Sequence, residues 1–155
     1  MYHVNRKIVN AIIPAAIANN AAVTSQVIDT LGFAYLEFVV QLGATDIALS
    51  AFKVQEADAK SSATALTSGA DVTGLVFGTS TNDAGSTSTL PSATDDNKIF
   101  KFEIDLRGRK RYLQVQATVG NGTAGAFISA VAELSRGANV PTTAADKGIA
   151  QLLRI

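Results

Sequence analysis

Cysteine and tryptophan are absent from this chain, and histidine occurs once, at His3. Without cysteine there is no disulfide, no thiol nucleophile and no Cys/His zinc cage, and one histidine cannot build a histidine-rich metal site. Serine-hydrolase chemistry goes with it, because a Ser-His-Asp site needs a histidine beside the serine and no Gly-x-Ser-x-Gly turn occurs. Charge is scarce as well. Asp, Glu, Lys and Arg make up 17% of the residues, against about 25% in an average soluble domain. The 13 basic and 13 acidic residues cancel, and the sequence pI of 6.6 lies below the value of about 9 that marks a nucleic-acid-binding domain. No apolar run reaches the roughly 18 uninterrupted residues of a membrane helix. Neither nucleic acid nor a membrane is therefore expected as a partner.

The acidic pairs offer no substitute chemistry. Asp95-Asp96 lies in a polar stretch, and Glu103 and Asp105 lie on the polar face of an alternating run, where solvation keeps both carboxylates ionised and unsuited to acid/base work. Asn82-Asp83 and Asp95-Asp96-Asn97 fall short of a calcium-loop spacing. The Gly/Ser/Thr-rich stretch 78–97 lacks the Gly-Lys-Ser/Thr of a phosphate loop. The residues point to no enzyme, no metal and no cofactor.

What the chain does have is alternation at period two, the signature of half-buried strands and not of amphipathic helices. In residues 99–106, Phe100, Phe102, Ile104 and Leu106 share one face, with Lys101, Glu103 and Asp105 on the other. Leu113, Val115, Ala117 and Val119 alternate with Gln114, Gln116 and Thr118, so the two runs read as a hairpin around Arg107-Gly108-Arg109. Leu36, Phe38, Val40 and Leu42 form another face, ended by Gly43, and 47–54 reads as the return strand. Residues 72–77 and 126–134 are further strands, the latter after a hairpin loop containing Gly120, Gly122 and Gly125. Weaker strands are expected at 23–28 and 149–153, and a short helical piece within 11–22. Residues 78–97 are expected as a surface loop, mobile unless a partner orders it, because they lack apolar residues to offset ordering entropy.

Six or so short strands in 155 residues predict an all-β fold: one antiparallel β-sandwich, jelly-roll-like, with extended N- and C-terminal arms. The expected division is an N-terminal arm at 1–22, a sandwich at 23–147 and a C-terminal tail at 148–155. Arg6 and Lys7 precede an apolar run at 8–18 that superficially resembles a secretory signal, but Asn10 and Pro14 interrupt it, and an extended arm is the expectation. Low charge with a mean hydropathy of +0.21 predicts that part of the surface is covered by a partner, including a second copy as dimer or trimer. In the tail, Leu152, Leu153 and Ile155 are the candidate contact residues.

One cluster exceeds background: Arg107, Arg109, Lys110 and Arg111 place four positive charges in five positions, followed by Tyr112. It reads either as a basic patch for an acidic partner surface, where arginine makes bidentate bonds to carboxylates, or as a solvated turn that guards a sheet edge.

Three short motifs carry a family resemblance. Ile28-Asp29-Thr30-Leu31-Gly32-Phe33, then Val54-Gln55-Glu56-Ala57-Asp58, then Lys110-Arg111-Tyr112-Leu113-Gln114-Val115 resemble, in order and spacing over roughly 23–134, small capsid decoration (cement) proteins of tailed bacteriophages. The loop 78–97 is longer than that family's, and Arg107-Gly108-Arg109 replaces a more neutral turn. The resemblance implies a structural virion protein on the outer surface of a phage head, bridging and stabilising major capsid protein subunits. Head-to-tail joining and a carbohydrate- or surface-binding β-sandwich module are the alternatives; the latter is disfavoured by the 6% aromatic content. On the residues alone, Asp29 and Thr30 can bond backbone amides in a turn, Gly32 admits a left-handed residue and Phe33 re-enters the core. Circular dichroism of the purified protein is expected to be dominated by strand signal, and a helix content above about a third, the average for globular domains, would overturn the fold assignment.

Overall fold

Alternation at period two leaves each strand with one apolar face, and two such sheets must bury those faces against each other. The structure, a computed structural model, describes residues 5–139 and 143–153 and meets this requirement with strands and turns, without helix among the described residues. The strands are β1 (Lys7–Ile12), β2 (Ala22–Thr24), β3 (Ile28–Asp29), β4 (Tyr35–Thr45), β5 (Leu49–Ala57), β6 (Ala59–Lys60), β7 (Leu66–Thr67), β8 (Ala70–Val76), β9 (Ile99–Asp105), β10 (Tyr112–Val119) and β11 (Ala126–Ser135). The first sheet has the order β1-β11-β4-β9, the second β2-β10-β5-β8 with β3 added on β10, and β6-β7 is a small separate hairpin. All pairings are antiparallel.

The pairing is nested. The first long strand pairs with the last (β1 with β11), then β2 with β10, β4 with β9 and β5 with β8, as in one long hairpin folded across two sheets. This is the jelly-roll arrangement of eight strands. Its core is the alternating set read from the sequence: Leu36, Phe38, Val40 and Leu42 on β4, Leu113, Val115, Ala117 and Val119 on β10, and Ala126, Ile128, Ala130, Ala132 and Leu134 on β11 are all buried.

The hairpins expected around 107–109 and 120–125 are not hairpins. β9 lies in the first sheet and β10 in the second, β11 is back in the first, and the 47–54 strand likewise sits in the sheet opposite β4. Each connection is an arch across the sandwich end. β4 also runs past Gly43 to Thr45. The segment 23–28 divides into β2 and β3, and the helical piece expected within 11–22 is instead the end of β1, a loop and the start of β2. No strand forms at 149–153.

Part of the segment expected as an arm belongs to the sandwich: β1 pairs with β11, and Ala11 and Ile12 are in the core. The reason is that β11 is apolar on its inner face and needs a neighbour on both sides. The loop 78–97 lies on the surface as expected, but it is organised by its own contacts. Ser88 Oγ donates to Ser80 O (2.7 Å) and accepts from Gly78 N (3.2 Å), while Asn82 Oδ1 accepts from Ala84 N and Ser86 N. Leu90 packs against the core and Pro91 is fully buried, its carbonyl accepting from Leu49 N at 2.9 Å.

Sheet edges are guarded. A turn at 143–148 lies along β1, where Ile8 N donates to Lys147 O at 2.8 Å; at Gly148, with φ +74°, a Cβ would stand 1.8 Å from the Ile8 carbonyl oxygen, so only glycine fits there. β2 is three residues long, β8 is broken by a register shift opposite Lys53 and Gln55, and β9 carries Lys101 and Glu103. Such devices discourage edge-to-edge pairing. Phe38 is fully buried at the centre of β4, and Phe38→Ala is expected to cost about 3–5 kcal/mol of stability, measured as a drop in the denaturant midpoint.

Candidate functional site

The three motifs that carry the family resemblance meet in space. Tyr112 at the start of β10 lies between Asp29 of β3 and Ala57 of β5 in the sheet register. Within the first motif, Leu31 N donates to Asp29 Oδ1 at 3.1 Å, Phe33 N to Thr30 O at 3.0 Å, and Gly32 adopts φ +84°. Thr30 plays a different part from the one expected, since its hydroxyl donates to the Arg111 carbonyl at 2.7 Å. The turn chemistry of the first motif thus ties it to the third.

The same meeting places a carboxylate against every member of the basic cluster. Arg111 grips Asp29 with two nitrogens, Nε at 2.8 Å and Nη2 at 2.6 Å. Arg109 faces Glu56 at 3.5 Å, and the Lys110 backbone N–H donates to the same carboxylate at 3.1 Å. Lys110 Nζ lies 3.0 Å from Asp58, and Arg107 chelates Asp105 two residues back. Tyr112 is half-buried, with the Arg111 guanidinium 5.0 Å and the Lys60 ammonium 5.6 Å from its ring centre, two cation–π contacts on one ring. Sequence reasoning saw the cations and missed their partners, although Asp29, Glu56 and Asp58 lay in the other two motifs. The cluster is a ring of ion pairs closing one end of the sandwich, so it offers an acidic partner little unpaired positive charge.

The pairing lowers the carboxyl pKa values, because each cation favours the ionised form. The Arg111 hydrogen bond holds the Asp29 carboxyl below its ordinary 3.8, against an opposing push from burial. The Arg107 side chain brings Asp105 to about 2, and Lys98 with Ser92 does the same for Asp95. Backbone N–H groups of Ala124 and Gly125 lower Asp46, which bridges the β4–β5 and β10–β11 arches.

A second surface was not anticipated from the sequence. On the outer face of the first sheet, rows across the strands are read from the register. One end is charged: Glu133, Glu37 and Glu103 stand side by side, neutralised by Arg6 on Glu133 and by Lys101 on Glu37 and Glu103. The next row has Val131 facing Val39 with Lys101 at its β9 end; beyond it charge is absent, as Ser129 faces Gln41, which faces Ile99, and Phe127 lies against Gly43. Phe127 is 43% and Ile99 65% exposed, and Pro14 of the exposed β1–β2 loop borders the same patch. The signal was present: positions 39, 127 and 131 are apolar at outward places of alternating strands. Of the tail candidates, Leu152 is 41% and Leu153 93% exposed, and Ile155 lies outside the described residues.

A third feature, a cleft of about 560 Å³, separates the outer edges of β8 and β9. Its phenylalanines pack on one another: Phe77 meets Phe100 and Phe102 edge-to-face at 5.8 and 5.3 Å. These rings fill space and do not form a stacking platform. Among the described residues no group of three His, Cys, Asp or Glu is arranged to hold a metal.

A carboxylate whose folded pKa lies below its unfolded value contributes stability that is complete above the unfolded pKa and lost as pH falls through the folded one. The melting temperature is therefore expected to stay level down to about pH 5 and to fall between pH 3.8 and about 2. Asp29→Asn is expected to lower it at pH 7 and to flatten that decline; an unchanged acid profile would show that the Asp29–Arg111 pair does not support the fold. No protein-family model matches the chain, and it matches no curated protein.

Proposed function

We propose that the protein is a structural component of a phage virion, bound to the outer surface of the head, where it bridges and stabilises major capsid protein subunits and associates with itself as a dimer or trimer. The observation that carries this reading is the apolar patch on the outer face of the first sheet, beside its row of paired charges, where Val39, Ile99, Phe127 and Val131 are presented together. A monomer in water gains nothing from such a patch, whereas a face that meets a neighbour does. The gathering of the three motifs into one ion-paired end supports the family reading, since residues that resemble the family serve one structural purpose together. The basic cluster, being paired within the chain, is a stabilising device in this reading, and the apolar face and the tail are left for contacts with neighbouring subunits.

Copy number tests the proposal. A stained gel of purified virions, with the band identified by mass spectrometry, is expected to show this protein in many copies, scaling with the major capsid protein. A few copies per particle would make it a head-to-tail joining protein instead, and its absence from virions would overturn the proposal.

A further inference from the structure

We propose that the apolar channel on the outer face of the first sheet receives the C-terminal segment of a second copy of this chain, with Leu152 and Leu153 as its anchors. The channel consists of two adjoining cavities of about 150 and 120 Å³ that share Pro14, Gln41 and Ser129 as walls. The first is apolar through Ile12, Val39, Ile99 and Val131; the second is lined by Gly43 and Phe127. An apolar cavity of about 150 Å³ accommodates a benzene-sized group, so each cavity suits one leucine-sized side chain. Ligand pockets start at about 300 Å³, which makes an extended peptide a better occupant than a folded ligand.

The segment 148–153, Gly-Ile-Ala-Gln-Leu-Leu, has the matching chemistry. These six residues carry no charge, Arg154 being the next in the chain, and neither do the residues that line the two cavities. Gln41 and Ser129, with Asn10 at the first cavity, supply amide and hydroxyl groups for an extended backbone. The root of the segment is fixed, because Ile8 N bonds Lys147 O and Gly148 packs on the Ile8 carbonyl. Beyond that root Leu153 stands 93% exposed. A pinned root with an apolar exposed end is a tether, and in a single copy both tether and channel face water. Seating the tether of one copy in the channel of the next satisfies both, in a head-to-tail contact that forms a ring where the rotation between copies closes. The inference concerns self-association alone and stands or falls independently of attachment to a phage head.

Sedimentation velocity of the full chain over a wide concentration range tests it. The unaltered protein is expected to associate, and the double substitution Leu152→Ser, Leu153→Ser to weaken association about tenfold or more per leucine while leaving the melt unchanged. Val131→Glu is expected to do the same from the channel side; should it fail to fold cooperatively, Ile99→Lys replaces it. Mixing the two variants is the decisive step. The tail variant keeps its channel and the channel variant keeps its tail, so the mixture is expected to form one-to-one pairs and nothing larger. A monomer at every concentration, a tail variant that associates like the unaltered protein, or a mixture that stays monomeric would each overturn the inference.

Discussion

Phe52 of the second sheet and Phe102 of the first meet across the interior with ring centres 4.9 Å apart, and on contacts of this kind the whole architecture depends. Hydrogen bonds hold each sheet together, while between the sheets they are confined to connecting segments, such as Gln26 N to Ala11 O at 2.7 Å. Phe77 stacks on Phe52 at 4.9 Å, and Phe100 approaches Phe52 edge-on at 6.0 Å, so four rings close the side where β8 and β9 lie unpaired with one another. Offset and edge-on geometries of this sort add roughly 0.5–1.5 kcal/mol per pair beyond area burial. The aromatic content is small, yet four of its rings meet at one side of the sandwich, where no strand pairing joins β8 to β9.

What the sequence disclosed and what it concealed follow from the physics of alternation. Period two reports which way a side chain faces, so the buried sets on β4, β10 and β11 were legible position by position. It carries no information about which strand lies alongside. A Gly-containing turn between two alternating runs serves a hairpin and an arch equally well, and the segments around Gly108 and 120–125 are arches. The polar loop 78–97 was legible as surface, but its order was not, because it rests on the partly buried Leu90 and the buried Pro91, and on serine and asparagine side chains bonding backbone groups nearby. β1 escaped notice because a six-residue edge strand beside an apolar, proline-containing loop reads like an arm.

The candidate surfaces repeat the lesson. Four cations in five residues are conspicuous, but an ion pair has two members, and Asp29 and Glu56 lie 82 and 54 residues from Arg111 and Lys110. The apolar outer face was hidden for the opposite reason. Val39, Phe127 and Val131 are unremarkable one at a time and become a patch only when the register brings β4 and β11 side by side. Charge on this molecule is settled locally, carboxylate against cation, leaving shape and apolar area to distinguish one part of the surface from another.

The nested pairing also dictates a history for the chain. Arg6 at the β1 end and Glu133 on β11 are 127 residues apart in sequence, and the other sheet pairs, apart from β5 with β8 and the small β6–β7 hairpin, close long loops inside that span. Such long-range pairing makes folding slow. During synthesis β1 emerges before its partner strand β11, so Ala11 and Ile12 wait unburied until the strands between them have been made. The sheet between β5 and β8 can form early; the strand that begins the chain is the one whose place is decided at the end.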